Sequence, residues 1–372
     1  MTTERLHSIG YMPALDGLRA VSILLVVASH LGLGHVVPGG LGVTIFFFIS
    51  GFIITGILLH ESTRDGAVSL RGFYIKRFFR LGPALLVYVL ACVVFFAAVA
   101  RPLPLVDIAA AVFYWANYHH IFRGWGTGTA LLPLSIIWSL AVEEHFYFAF
   151  PLLLVALRRR PALLLALLVV LCAAVLAWRI YLVVGVGLEH LAPARTEQAT
   201  DTRIDSIVYG CVLSVLIARA AARGSVTGDA LLRRLGSHVA LFAGAGLMLA
   251  SLVYRDEVFR ETWRYSLQGI ALMPLFVHLF VLRRHDVLQR LLSSAPMVFI
   301  GKISYSLYLH HWFALCALVQ LFGTGPEVIV TVRLATVPLM LLLALASYHL
   351  VETPLRRLGH RLAEGVGAAA PA

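Results

Sequence analysis

An acid, a guanidinium and an imidazole lie in one otherwise apolar stretch, Leu15 to His30 (LDGLRAVSILLVVASH). An imidazole takes up and releases protons near neutral pH, and a guanidinium binds anionic oxygens with the acid holding it in place. On a helix turning about 100° and rising about 1.5 Å per residue, Asp16 and Arg19 share a face. Arg19 and His30 are eleven apart, which returns the helix to within about 20° of the same side, roughly 16 Å along the axis. One stripe is therefore expected to carry all three. Ionisable groups in a membrane helix are costly to desolvate, so such a stripe faces a functional interior where each group finds a partner. The plainer alternative pairs Arg19 with Asp16 at the water interface and leaves His30 as a satisfied core polar group.

Further stretches have spacing suited to chemistry. Arg77 and Arg80 in RFFR share a face just before an apolar run. Paired guanidiniums suit phosphate oxygens, although the same pair also serves as an anchor for anionic lipid heads. Glu143 shares a face with Ser139 and Tyr147 at four-residue intervals, whereas Glu144 points about 100° away. Ser304, Tyr308 and His311 fall on one face, with His310 one helical step off it. Neighbouring histidines point different ways and no second cluster is correctly spaced, so no metal site is expected. Arg203 and Asp205 open another apolar run and are expected to pair with groups on other helices.

These residues need a membrane to be placed in. Of 372 residues, 60% are hydrophobic and 13% charged, and the mean hydropathy is +0.87. That is too apolar for a soluble globular chain. A net charge of +11 and a pI near 9.9 could point to nucleic acid. The arginines, however, fall in short clusters between apolar runs, where the positive-inside rule expects them, so nucleic acid is set aside. Lys76 and Lys302 are the only lysines, and Lys302 is placed to snorkel to phosphate. Cys92, Cys172, Cys211 and Cys316 lie in apolar runs without CxxC spacing and read as packing residues.

Apolar windows long enough to cross the hydrocarbon core occur near 14–35, 40–60, 81–100, 134–157, 161–185, 203–221, 237–254, 264–282, 299–321 and 329–350. Basic clusters at 71–80, 158–160, 219–234, 283–285 and near the C-terminus follow every second window, which predicts both termini cytoplasmic. The first window contains Asp16 and Arg19 and lacks a small-residue cleavage site, so it reads as a retained span. The segment 105–121 carries Asn117, His119 and His120, and counting it as a span would invert every later loop. It is expected to be an outward-side helix or partial re-entry.

Taken together, LDGLRA…H, GVTIFFFISGFIIT with its Phe48–Gly51 core, RFFR, WSLAVEEHFY, TRIDSIVYG, GKISYSLYLHHW and VETPLR resemble, in order, the motifs of the bacterial membrane acyltransferases called acyltransferase family three. Phe313 stands where that family commonly has a proline, and the appended hydrolase-like or periplasmic domain of longer members is expected to be absent. The resemblance implies an all-α integral membrane fold, about ten transmembrane helices around a polar cavity. Residues 1–358 would form the acyltransferase domain and 359–372 a short cytoplasmic tail, in a bacterial cytoplasmic membrane.

It further implies an acyl-CoA-dependent O-acyltransferase with no permanently bound cofactor, using acyl-CoA, most simply acetyl-CoA, as co-substrate. The catalytic group would be His30 as general base on an acceptor hydroxyl, Arg19 at the thioester or its oxyanion, Asp16 fixing Arg19, and Glu143 assisting His30 or the acceptor. An acyl-histidine intermediate is the variant mechanism. Arg77, Arg80 and Lys302 would bind acyl-CoA. Ser50, Trp138, Tyr147, Arg203, Asp205, Ser304, Tyr305, Tyr308 and His311 would line the cavity or bind the acceptor. That acceptor would be a cell-envelope carbohydrate or glycolipid, or alternatively a macrolide-type metabolite. A multi-pass transporter or flippase is the reading from a different class, with membrane lipid as its surroundings in either case. A purely structural scaffold leaves Arg19 and His30 unexplained.

Overall fold

The computed structural model describes residues 11–123, 132–226, 229–282 and 287–368, and among these every regular element is helical. Backbone polar groups in hydrocarbon must be satisfied within the segment, which helices achieve for every interior residue. Among the described residues, eight helical stretches are long and apolar enough to cross a membrane: Pro13–Leu33, Gly39–Asp65, Leu70–Ala98, Ile137–Leu157, Pro161–His190, Asp205–Ala222, Trp263–Val281 and Pro326–Gly365. Two further expected spans are also helical. His238–Val253 is apolar but shorter, and Ser304–Phe322 is diluted by its own serines, tyrosines and histidines.

We label the helices α1 (Pro13–Ala28), α2 (Gly39–Asp65), α3 (Leu70–Ala98), α4 (Leu105–Val112), α5 (Ala116–Arg123), α6 (Ile137–Leu157), α7 (Pro161–Ile180), α8 (Asp205–Ala222), α9 (His238–Val253), α10 (Trp263–Phe276), α11 (Ala295–Lys302), α12 (Ser304–Phe322), α13 (Pro326–Ser347) and α14 (Thr353–Ala368). The segment expected to re-enter is α4 and α5, divided at Tyr114 by a positive φ of 58°. At eight residues each they rise about 12 Å, well short of a span. The basic cluster at 283–285 lies outside the described residues.

Three boundaries differ from the expected windows. The basic run before the third window is already helical: α3 starts at Leu70, where the Ser69 hydroxyl accepts from the Gly72 amide at 3.1 Å. The ninth window is two helices, because Ile303 (φ −90°, ψ 5°) interrupts the ladder between α11 and α12. The first window does not stay α-helical to His30. α1 ends at Ala28 and passes into a wide turn, Ser29–Leu33, with non-helical torsions at Leu31 and Gly32 (φ 101°).

Contacts divide the chain into two compact units. The first comprises Met1–Leu24, Gly40–Val68 and Val142–Gly301, and the second Leu25–Gly39, Ser69–Ala141 and Lys302–Ala372. In the first, glycines let backbones touch, as expected where lipid supplies no hydrophobic drive between helices. A Cβ on Gly51 of α2 would lie 1.9 Å from the carbonyl oxygen of Ile207 on α8, and one on Gly210 of α8 2.2 Å from that of Phe48. Gly301 meets Asp16 in the same way, at 1.8 Å from its carbonyl oxygen. Substituting Gly51 by valine is expected to force α2 from α8 and lower the thermal midpoint in detergent by more than 5 °C.

The second unit is built on α3, α12, α13 and α14. A Cβ on Gly359 of α14 would lie 2.4 Å from Cβ of Phe79 on α3, so α14 lies tight along the basic start of α3. Glu352, buried between α13 and α14, accepts a hydrogen bond from Ser306 of α12 at 3.0 Å, which gives VETPLR a structural task.

Candidate active site

Each unit carries its own polar constellation. In the first, the Gly51 contact fixes α2 so that Ser50 donates to Glu143 Oε1 at 2.7 Å, while the Tyr147 hydroxyl donates to Ser50 at 2.9 Å. Glu143 and Tyr147 lie one turn apart on α6, as their spacing requires. Tyr147 is buried, whereas Ser50 and Glu143 are half-buried. The carboxylate thus has a fixed donor on one oxygen and further acceptor capacity for hydroxyl groups. On α1, Arg19 and Asp16 pair at 3.5 Å.

The R-x-D element is an anchoring network. Asp205 meets Arg179 of α7 bidentately, at 2.9 and 2.7 Å, and both side chains are fully buried. The remaining Arg179 donors go to the Thr262 carbonyl at 2.9 Å, the Thr202 carbonyl and the Ser266 hydroxyl at 2.6 Å, and Ser266 donates onward to Asp205 at 3.0 Å. All five guanidinium hydrogens are therefore used. Arg203 stands 3.8 Å from the Tyr265 ring centroid and donates to Thr44 of α2 and Ser206, each at 3.2 Å.

The second unit holds His30 and His311. Nδ1 of His30 lies 2.9 Å from Nε2 of His311, and the rings stack within 7°. Nδ1 of His311 is 3.0 Å from the Leu307 carbonyl, which can only accept. The Nδ1 hydrogen of His311 is therefore assigned to that carbonyl, and in the neutral ring its Nε2 is a lone pair. His30 must then donate from Nδ1, which leaves Nε2 of His30 as the nitrogen able to take a proton. Trp312 packs against His30 with ring centroids 4.7 Å apart, held by its indole N–H on the Leu132 carbonyl at 2.8 Å.

Below this pair, the Tyr308 hydroxyl donates to the Ile136 carbonyl at 2.8 Å and receives Ser139 at 2.6 Å. Tyr305 donates to the Leu81 carbonyl at 2.8 Å, and Ser304 and Trp138 are buried. His310 points away, bonding the Ser306 carbonyl at 2.8 Å and meeting Tyr88 edge-on. Arg77 and Arg80 are half-buried in the early turns of α3, while Lys302 is exposed at the end of α11. His119 pairs with Asp107 at 2.6 Å, so it belongs to a local α4–α5 contact. Among the described residues, no group of three or more His, Cys, Asp or Glu is arranged to hold a metal.

Two basic residues were passed over in the sequence, Arg179 and Arg333. Both lie inside apolar runs, and a charge within a span is itself the signal that could have found them.

The family profile described as "Acyltransferase domain", that of acyltransferase family three, matches residues 12–349. "O-acetyltransferase OatA" of Staphylococcus aureus strain NCTC 8325 is 30% identical over 368 residues, covering 96% of this chain and 59% of that protein. The protein named "Putative O-acetyltransferase SAS0844" of S. aureus strain MSSA476 is 32% identical over 363 residues, covering 94% of this chain and 58% of its own length. The chain thus spans about three-fifths of the curated relatives it matches. No solved structure matches it.

Proposed function

The chain belongs to acyltransferase family three, integral to the membrane, and from that premise we propose that it moves an acetyl group from acetyl-CoA to a hydroxyl of a cell-envelope carbohydrate or glycolipid. The observation that supports the reading is the tautomer chain Leu307–His311–His30, which leaves Nε2 of His30 as the nitrogen able to take a proton. The acceptor oxygen attacks the thioester carbonyl carbon as its proton passes to Nε2. The C–S bond then breaks, and the departing CoA sulfur receives the proton, giving an ester and free CoA. The motif reading assigns Arg19, steadied by Asp16, to the oxygen that becomes negative, and Glu143 to the acceptor hydroxyls.

The names of the relatives support acetyl as the group transferred. Arg77 and Arg80 are the CoA phosphate ligands in this reading, with Lys302 as a further cation. Replacing both arginines by alanine is expected to raise KM for acetyl-CoA about 10- to 100-fold with little change in kcat. In this reading the basic clusters put both termini in the cytoplasm, and a reporter fused in 61–80 that scored as extracytoplasmic would overturn that orientation.

The test is transfer of label from acetyl-CoA into cell-envelope and small-molecule fractions, comparing wild type with His30→Ala at matched expression. Label in a glycan or glycolipid fraction only with wild type supports the proposal. Label confined to a secreted small molecule moves the acceptor to a metabolite. No His30-dependent label in any fraction, with both proteins properly inserted, overturns the assignment and favours first another acyl donor and then transport.

A further inference from the structure

Arg333 lies seven residues into α13, about 10 Å along the axis from its first residue, within a stretch apolar enough to cross a membrane. It is half-buried, and among the described residues it has no hydrogen-bond or ion-pair partner. Its guanidinium rests on the wide turn that carries His30. A Cβ built on Gly32 would fall 2.5 Å from the guanidinium carbon and from Nη1, and 2.9 Å from Nε. Gly32 also has φ 101°, which an L side chain rarely adopts, so torsion and contact both require glycine there. The backbone two residues from His30 is thus shaped to seat a cation.

A guanidinium at this depth is stable only beside water or an anion, and here no carboxylate of the described chain supplies one. The basic residues near the junction of α3 and α14 do not explain it. From Arg333 to Thr353 is twenty residues of near-continuous helix, about 30 Å, so Arg333 is a bilayer's thickness from that cluster. Its five donors form a planar fork that matches a carboxylate or a phosphate.

Resting on the acyltransferase reading, we propose that Arg333 recognises an oxyanion, a carboxylate or phosphate carried by the acceptor, and so holds the neighbouring hydroxyl at His30. The acceptor class is thereby narrowed to anionic sugars or sugar phosphates. A lipid headgroup phosphate offers the same chemistry, and the arms of the test separate the two.

Trp312, in contact with His30, is the reporter. The full chain in phosphatidylcholine nanodiscs is titrated with glucuronate and with glucose, and the Trp312 share of the fluorescence is taken by subtracting Trp312→Phe. Glucuronate is expected to shift the signal saturably and glucose not, with Arg333→Gln weakening glucuronate roughly tenfold or more. If Arg333→Gln inserts poorly, Arg333→Lys carries the test, keeping the charge but losing the fork and weakening glucuronate several-fold. Equal titration by the two sugars, or an unchanged glucuronate curve in the variant, would overturn the proposal. So would phosphatidylglycerol discs that reproduce the Arg333-dependent signal and block glucuronate, since the oxyanion would then be lipid. Label transfer that fails while the glucuronate titration stands removes the enzyme reading alone, and the reverse removes this inference alone.

Discussion

Acetyl transfer falls about 10²- to 10⁴-fold in His30→Ala, the loss expected when a positioned general base is removed. His311 acts through His30, so its variants separate orientation from chemistry. In His311→Phe the stacked ring remains but the acceptor for the His30 Nδ1 hydrogen is gone, and His30 is free to turn or to adopt the other tautomer. We expect kcat to drop by at least tenfold, with KM for acetyl-CoA unchanged because the residues assigned to CoA are intact. His311→Gln offers a carbonyl oxygen to the same hydrogen and is expected to restore part of the rate. The double variant His30→Ala with His311→Phe should be no slower than His30→Ala alone, as for residues that act as one unit. A wild-type kcat in His311→Phe would sink the tautomer chain as the orienting device. Additive losses in the double variant would show instead that His311 works independently of His30.

The spans were legible because hydrocarbon allows the backbone so few solutions: a run of about 20 apolar residues must be a helix. The pairing of Glu143 with Tyr147 on one face, and the separation of His311 from His310, followed from 100° per residue alone. What escaped the reading depends on departures from that period or on distant partners. The wide turn at Ser29–Leu33 rests on a glycine torsion, and apolar windows carry no trace of it. Arg179 and Asp205 are 26 residues apart, and neither position names the other. The short approaches at Gly51, Gly210 and Gly301 explain motif glycines that spacing could only mark, because their need is set by a backbone on another helix.

The Arg179–Asp205 pair should give the largest effect on stability. Both side chains are fully buried, so neither charge can fall back on water. Asp205→Ala leaves a guanidinium with three remaining partners and no counter-charge, and Arg179→Met leaves a carboxylate with the Ser266 hydroxyl. Each single change is expected to cost about 3–5 kcal/mol, seen as a large fall in thermal midpoint or as failure to recover monodisperse protein. The double variant Arg179→Met with Asp205→Leu removes both charges and should recover most of that loss, short of the Thr202 and Thr262 carbonyls it strips of their donor. Strong non-additivity is thus the signature, and a double variant as damaged as the sum of the singles would mean that volume, not charge, holds the site. The consequence reaches the first unit's polar constellation through one connection. Asp205 begins α8, two residues after Arg203, and Arg203 bonds Thr44 on the helix that presents Ser50 to Glu143. A rescued double variant that folds yet loses acetyl transfer would show that the pair is retained to hold Arg203 in register, beyond any stability it confers.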